Sequence, residues 1–127
     1  MFQNPFHERS SETLASVLNN APASIIVCSA KSRALLYANE RACKLFIKED
    51  SRPGITCYEA AGHVKPCPFC QYEEQNSLEF TVRNHMEPVT RRIYQISSKM
   101  IDWEGEPAYI EYIVDVTEDQ TKTERYR

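Results

Sequence analysis

The first regular spacing along the chain is Leu14, Val17, Leu18 and Ala21, at i, i+3, i+4 and i+7, which puts one apolar stripe on a helix. Ser10-Ser11 ahead of it supply a cap, and Asn19-Asn20 and Pro22 stop it. Such a stripe has to be covered, by the domain's own sheet or by the same helix of a second copy; the pattern leaves both open. Ala23 to Cys28 is then a short β-branched run, Lys31-Ser32-Arg33 a polar break, and Ala34 to Ala38 a second apolar run, so the two predict a hairpin. Asn39 follows as an N-cap for a short helix over Glu40 to Phe46, with Ala42, Leu45 and Phe46 on its apolar side. Arg52-Pro53-Gly54 closes that region. Residues 55–76 have no clear period and predict one or two short helical turns.

The second half changes character. Leu78, Phe80 and Val82 alternate with Glu79, Thr81 and Arg83, the signature of a half-buried strand, and Asn84 to Pro88 is turn-like. Arg91 to Ile101 predicts a longer strand, with Tyr94, Ile96, Ser98 and Met100 on one face and Ile93, Gln95, Ser97 and Lys99 on the other. Trp103-Glu104-Gly105-Glu106-Pro107 supplies a turn, and Ala108 to Val114 the last strand. Thr117-Glu118-Asp119-Gln120 fits a capping box, so the chain is expected to leave the sheet as a new helix over 117–127. A helix that starts well and stops after about two turns points to a module cut from a longer protein. The expected layout is a lead-in over 1–10 and one α+β domain over 11–120. Its short hairpin connections imply an antiparallel sheet with helices on one face.

Composition narrows the class. The 127 residues fit one domain, large enough to bury roughly two-thirds of its unfolded surface. A formal net charge of −3, evenly spread, argues against nucleic acid or an anionic membrane as partner. No apolar run approaches the roughly 20 residues of a membrane span, and Met1-Phe2-Gln3-Asn4-Pro5 has no features of a secretory signal, so a cytoplasmic location is expected.

Five cysteines, an odd number, do not suit a secreted disulfide framework. Cys28 and Cys43 stand alone, on a strand and a helix, and are expected to be plain core residues. Cys57, Cys67 and Cys70 cluster, with His63 between them. A Cys-x-x-Cys pair suits zinc or thiol–disulfide chemistry, and Cys57 and His63 would complete a four-ligand set. Structural zinc sites usually show two close pairs, and only one is present here. Packing or a local disulfide, thiol redox sensing and metal binding all remain open.

Four segments together resemble a PAS domain, the sensory module of bacterial signalling proteins. They are Leu18 to Val27, approaching the first strand; Leu36-Tyr37-Ala38-Asn39-Glu40-Arg41-Ala42, a strand-to-helix step; Trp103 to Pro107, a hairpin; and Ile113-Val114-Asp115-Val116-Thr117-Glu118, leading into a signalling helix. The segment Cys57-Tyr58-Glu59, Gly62, Pro66-Cys67-Pro68-Phe69-Cys70 is similar to a subset found in sensor kinases and GGDEF-type diguanylate cyclases. The resemblance implies a five-stranded antiparallel sheet in the order 2-1-5-4-3, curved over short helices that enclose a pocket, with flanking helices at both ends. It implies a sensor of a small ligand or redox state, often a homodimer through the N-terminal helix and the sheet. The signal would pass through Asp115, Thr117 and Glu118 to an attached cyclase or histidine kinase. Neither effector signature occurs in this chain, so the domain itself is not expected to be an enzyme.

On that reading Tyr37, Phe46, Tyr58, Phe69, Phe80, Tyr94 and Tyr112 are candidates to line a pocket, although aromatics on strands are ordinary core residues elsewhere. No cofactor is required. A small ligand or zinc would suit, whereas flavin photochemistry lacks its cysteine motif and haem attachment lacks Cys-x-x-Cys-His, Gln71 following Cys70. His85 and His63 are the other possible ligands, and His7 lies in the lead-in. Two rival readings stand beside the sensor: a small enzyme with Cys67 or Cys70 as nucleophile and His63 as base, and a ligand-free dimerisation module.

Overall fold

A computed structural model of the chain describes residues 10–62 and 78–118. Helix α1 spans Ser11–Asn19, with the Ser10 hydroxyl accepting from the Thr13 amide at 3.2 Å. No residue of α1 is buried among the described residues; Leu14 is 45% and Val17 64% exposed. Of the predicted stripe, Leu18 and Ala21 are half-buried, while Leu14 and Val17 are left uncovered by the domain itself.

Strands β1 (Ser24–Ser29) and β2 (Leu35–Ala38) form the expected hairpin, with a bulge at Val27/Cys28. Ser29 organises the turn by accepting from the Lys31 and Ser32 amides. Asn39 caps α2 (Glu40–Leu45) as predicted, and does more. Its Oδ1 accepts from the Ile25 and Ala42 amides at 3.0 Å, while its Nδ2 donates to the Leu18 and Ala23 carbonyls. This fully buried side chain pins the end of α1, the start of β1 and the start of α2 to one another. On α2, Ala42 is buried but Leu45 is 59% exposed, against expectation. The next residue, Phe46, takes the inner-face position against Tyr94, and Leu45 lies about 100° round the helix from it.

The segment 54–57 runs beside β2. Leu35 donates to the Ile55 carbonyl, Gly54 to the Leu35 carbonyl and Cys57 to the Arg33 carbonyl. These bonds cover the free edge of the sheet and set the start of α3 (Cys57–Ala60) against its face. Thr56 caps α3, its hydroxyl accepting from the Glu59 amide and donating to the Glu59 carboxylate at 2.6 Å. The Thr-x-x-Glu spacing is that of a capping box, but here the Glu59 carboxylate is met by the Thr56 hydroxyl.

Strands β3 (Thr81–Met86), β4 (Ile93–Trp103) and β5 (Glu106–Asp115) complete an antiparallel sheet in the order β2-β1-β5-β4-β3. The β4–β5 turn is Glu104-Gly105. Both have positive φ, 49° and 90°, the type I′ geometry that suits the twist of paired strands. The pairing places Ile26, Cys28, Tyr109, Glu111, Ile96, Ser98, Met100 and Arg83 on one face, hereafter the inner face. Cys28, Leu35, Ala60 and Tyr109 form its core, joined by Ile47, Ile55, Cys57 and Met100.

The two faces foreseen for β4 are those observed. Strand β3 departs from expectation in extent and in facing. It runs on through Met86, so the turn comes after it, and Thr81, Arg83 and His85 face inward. Phe80, 47% exposed, and Val82, 54% exposed, lie on the outer side, and Leu78 is 86% exposed. Alternation identified a strand, but its apolar side is not the core side.

Candidate functional site

Three features lie on the inner face. At the β1–β2 end the Cys57 sulfur sits 3.7 Å from the Tyr109 hydroxyl. Cys57 also packs against Cys28, which is fully buried beneath it and can donate to a Cys57 thiolate. The three side chains come from α3, β5 and β1. The hydrogen bond from Cys28 lowers the Cys57 thiol to about 7; burial opposes it, and Tyr109 and the nearby Arg33 charge reinforce it. The same bond, followed by burial, holds Cys28 well above the ordinary thiol range. Burial raises Tyr109 in turn. Cys57 is half-buried, so of the two thiols it is the one that solvent can reach.

One step along the strands, Arg83 meets Glu111 at 3.2 Å, with side chains only 15% and 18% exposed. The guanidinium also reaches the hydroxyl of the buried Ser98, at 3.5 Å. Burial pushes the Glu111 carboxyl up, and Arg83 only partly offsets it. The charge of Glu111 in turn raises both thiols. At the far end, Phe46 meets Tyr94 edge-on, with ring centroids 5.2 Å apart.

The aromatic candidates do not share one space. Phe46 and Tyr94 pair on the inner face, whereas Phe80 and Tyr112 pair at 5.8 Å on the outer face, with Lys99 over the Phe80 ring. Tyr37 lies on the outer face as well, 6.4 Å from Trp103. Tyr58 is half-buried on α3. His63, Cys67, Phe69 and Cys70 lie outside the described residues, as does His7. Among the described residues no three His, Cys, Asp or Glu side chains are grouped to hold a metal ion. Cys43, expected in the core, is exposed on α2. Cys28 is in the core, but as the partner of Cys57. Neither Cys28, Tyr109, Arg83 nor Glu111 stood out in the sequence; each sits in an ordinary strand pattern until the strands are paired.

The exit from β5 is tied down separately. Asp115 accepts from the Thr117 amide at 3.0 Å and hydroxyl at 2.6 Å, and pairs with Arg92 at 2.7 Å. Burial raises the Asp115 carboxyl, but these Thr117 and Arg92 bonds outweigh it and leave it below its ordinary value. The Thr117 hydroxyl oxygen accepts from the Ile93 amide, and the Val116 amide donates to the Ile93 carbonyl. The first residues after the sheet are thus anchored to the start of β4. Gln120, the far member of the expected capping box, lies outside the described residues.

This architecture is found in solved structures. The chain superposes on the PAS domain of an HTR-like protein from Haloarcula marismortui with a TM-score of 0.62 at 17% identity, covering 83% of this chain and 90% of that one. The chain has the PAS fold. The PAS domain of Bordetella pertussis BvgS matches over 91% of this chain and 92% of that one, with a TM-score of 0.53 and 18% identity. A C-terminal domain from Streptococcus mutans matches at a TM-score of 0.59 and 14% identity, covering 94% of this chain and 96% of that one. No protein-family model matches the sequence, and neither does any curated protein. No helix among the described residues is long and apolar enough to cross a membrane.

Proposed function

We propose that this PAS-fold chain is a cytoplasmic sensory module, without catalysis of its own, that reports a small ligand or a redox change to an attached output domain. A diguanylate cyclase or a histidine kinase is the output this reading favours. The observation that carries it is the anchoring of Asp115 and Thr117 to Arg92 and Ile93. Strands β4 and β5 line the inner face and, in register, run directly to this junction. A change in what packs against Tyr94, Ser98 or Glu111 therefore bears on the outgoing chain through paired backbone. Such coupling requires a stimulus that stabilises one arrangement over the other. A homodimer is part of the proposal, supported by the exposed Leu14 and Val17 of α1 and the exposed Phe80 and Val82 of the outer face. Zinc at Cys57, His63, Cys67 and Cys70 is an alternative content of the sensor.

Native mass spectrometry of the protein purified from its own cells tests this in one measurement. The expected result is a dimer whose mass includes a small molecule or zinc, or a mass that falls by two hydrogens per disulfide when an oxidant is added. A bare mass unaltered by oxidant, metal or cell extract would remove the sensory reading.

A further inference from the structure

Cys28 and Cys57 are far apart in the chain and come from different elements, yet they meet on the inner face. Cys28 lies on β1, opposite Tyr109 of β5, and its side chain is wholly enclosed. Cys57 is placed over it by the bond from its own amide to the Arg33 carbonyl. Both sulfurs are free thiols, and the Tyr109 hydroxyl is 3.7 Å from the outer one. A half-exposed thiol backed by an enclosed one is the arrangement in which the first can be oxidised and the second can resolve it.

We propose that Cys28 and Cys57 form an oxidisable dithiol that a hydroperoxide converts to an intramolecular disulfide linking β1 to α3. The Cys57 thiolate attacks the near oxygen of the peroxide. A sulfur–oxygen bond forms, the oxygen–oxygen bond breaks, and the leaving alkoxide or hydroxide takes a proton to leave as alcohol or water. Cys57 is then a sulfenic acid. The Cys28 sulfur attacks it, the sulfur–oxygen bond breaks, and the departing hydroxide carries off the Cys28 proton as water. Two thiols have lost two electrons to one peroxide bond.

The order of events follows from exposure: Cys57 is half-buried and Cys28 is wholly enclosed, so a peroxide reaches Cys57 first and Cys28 lies against the sulfenic acid that forms. The groups facing the pair are Tyr109 and Glu111 from β5 and Arg33 from the β1–β2 turn. The disulfide would replace the Cys57 contact with Tyr109 and fix α3 to the central part of the sheet. Its meaning as a signal rests on the sensory reading above; its chemistry does not.

The test treats the full chain with hydrogen peroxide, blocks remaining thiols with iodoacetamide, and maps disulfides in a non-reduced digest. Trypsin separates Cys28 from Cys57, and a glutamate-specific protease cutting after Glu59 separates Cys57 from Cys67 and Cys70. The expected product is a linked Cys28–Cys57 peptide pair, with the exposed Cys43 still alkylated. In Cys28→Ala, which keeps a small apolar side chain, dimedone is expected to trap Cys57 sulfenic acid. In Cys57→Ser, Cys28 is expected to oxidise at least 10-fold more slowly. A Cys57 link to Cys67, to Cys70 or to a second copy, or a Cys28 that stays reduced throughout, overturns the proposal. A Cys28–Cys57 link that leaves amide exchange at Val116 and Thr117 unchanged upholds the dithiol and removes it as the signal.

Discussion

On the inner side of β3, Arg83 holds Glu111 of β5 at 3.2 Å with both side chains largely enclosed. On the outer side of the same strand its neighbour Val82 is 54% exposed. The inner face carries thiols, a phenol, a buried hydroxyl and an ion pair. On the outer side, β3 leaves Phe80 and Val82 exposed beside Gln95, Ser97 and Lys99 of β4. An unmet charge in the interior is costly, and the enclosed Arg83 and Glu111 are accordingly paired. Where the partners come from distant strands, a polar residue can face inward and an apolar one outward. The contrast sets enclosed polar groups on the inner face against exposed apolar ones on the outer side of β3.

The strongest disturbance of this arrangement is expected at Asn39, where the framework of the whole sheet is tied. Asn39→Ala removes the acceptor of the Ile25 and Ala42 amides and the donor to the Leu18 and Ala23 carbonyls. It leaves enclosed backbone groups without partners, for a loss of about 3 kcal/mol in denaturant unfolding. A loss under about 1 kcal/mol would mean that water or a shifted chain replaces those bonds. The expected damage extends to α1, whose last turn the carbonyl of Leu18 belongs to.

Next comes the inner ion pair. Glu111→Ala leaves Arg83 enclosed without its carboxylate and is expected to cost about 2 kcal/mol, below the full figure for a wholly buried pair because some water reaches both groups. The pH dependence gives a finer readout. With Glu111 raised above its ordinary value of 4.5, the folded chain keeps a proton that the unfolded chain has already lost. Its contribution to stability is therefore complete below 4.5 and lost as the pH rises through the raised value. Glu111→Gln keeps the shape without the titration, so the difference in unfolding free energy from the parent chain should change across that window. An unchanging difference would show that Arg83 fully offsets burial.

The thiol end gives a smaller, kinetic effect. Because the thiolate is the nucleophile, iodoacetamide alkylation of Cys57 should reach half its plateau near pH 7, against 9 for an ordinary thiol. Tyr109→Phe should move that midpoint upward, since it deletes a hydrogen bond to the thiolate. A midpoint of 9 in the parent chain would mean that the Cys28 bond does not favour the ionised sulfur.

How far these features could be read in advance depends on the distance between partners. The cap at Asn39 was legible because its α2 partner, Ala42, is three residues away; its bonds to Leu18 and Ala23 were not. The two faces of β4 were legible because alternation is a property of the strand alone. Which face is the core is not. Leu78, Phe80 and Val82 marked a strand correctly, but the inward turn of Arg83 depends on Glu111, 28 residues later. Tyr109 meets Cys57 across 52 residues, and no local pattern encodes that meeting. The same limit explains the aromatic candidates: their types fit a pocket, but strand register divides them between two faces.

The least effect on the fold, and the sharpest test of the contrast, is expected from Val82→Ser. Val82 is paired with Ser97 in the sheet and more than half exposed, so little enclosed surface is lost within one chain. Its unfolding free energy should stay within about 0.5 kcal/mol of the parent. If the outer face is where two copies meet, the same substitution should weaken self-association several-fold in sedimentation equilibrium, and Val17→Ser on α1 should act in the same direction. Each hydrophobic side chain withdrawn from an interface forfeits about 1 to 2 kcal/mol of burial. Association that is unaltered by both changes would leave the exposed apolar side of β3 to some other covering, and would assign self-association to another surface of the domain.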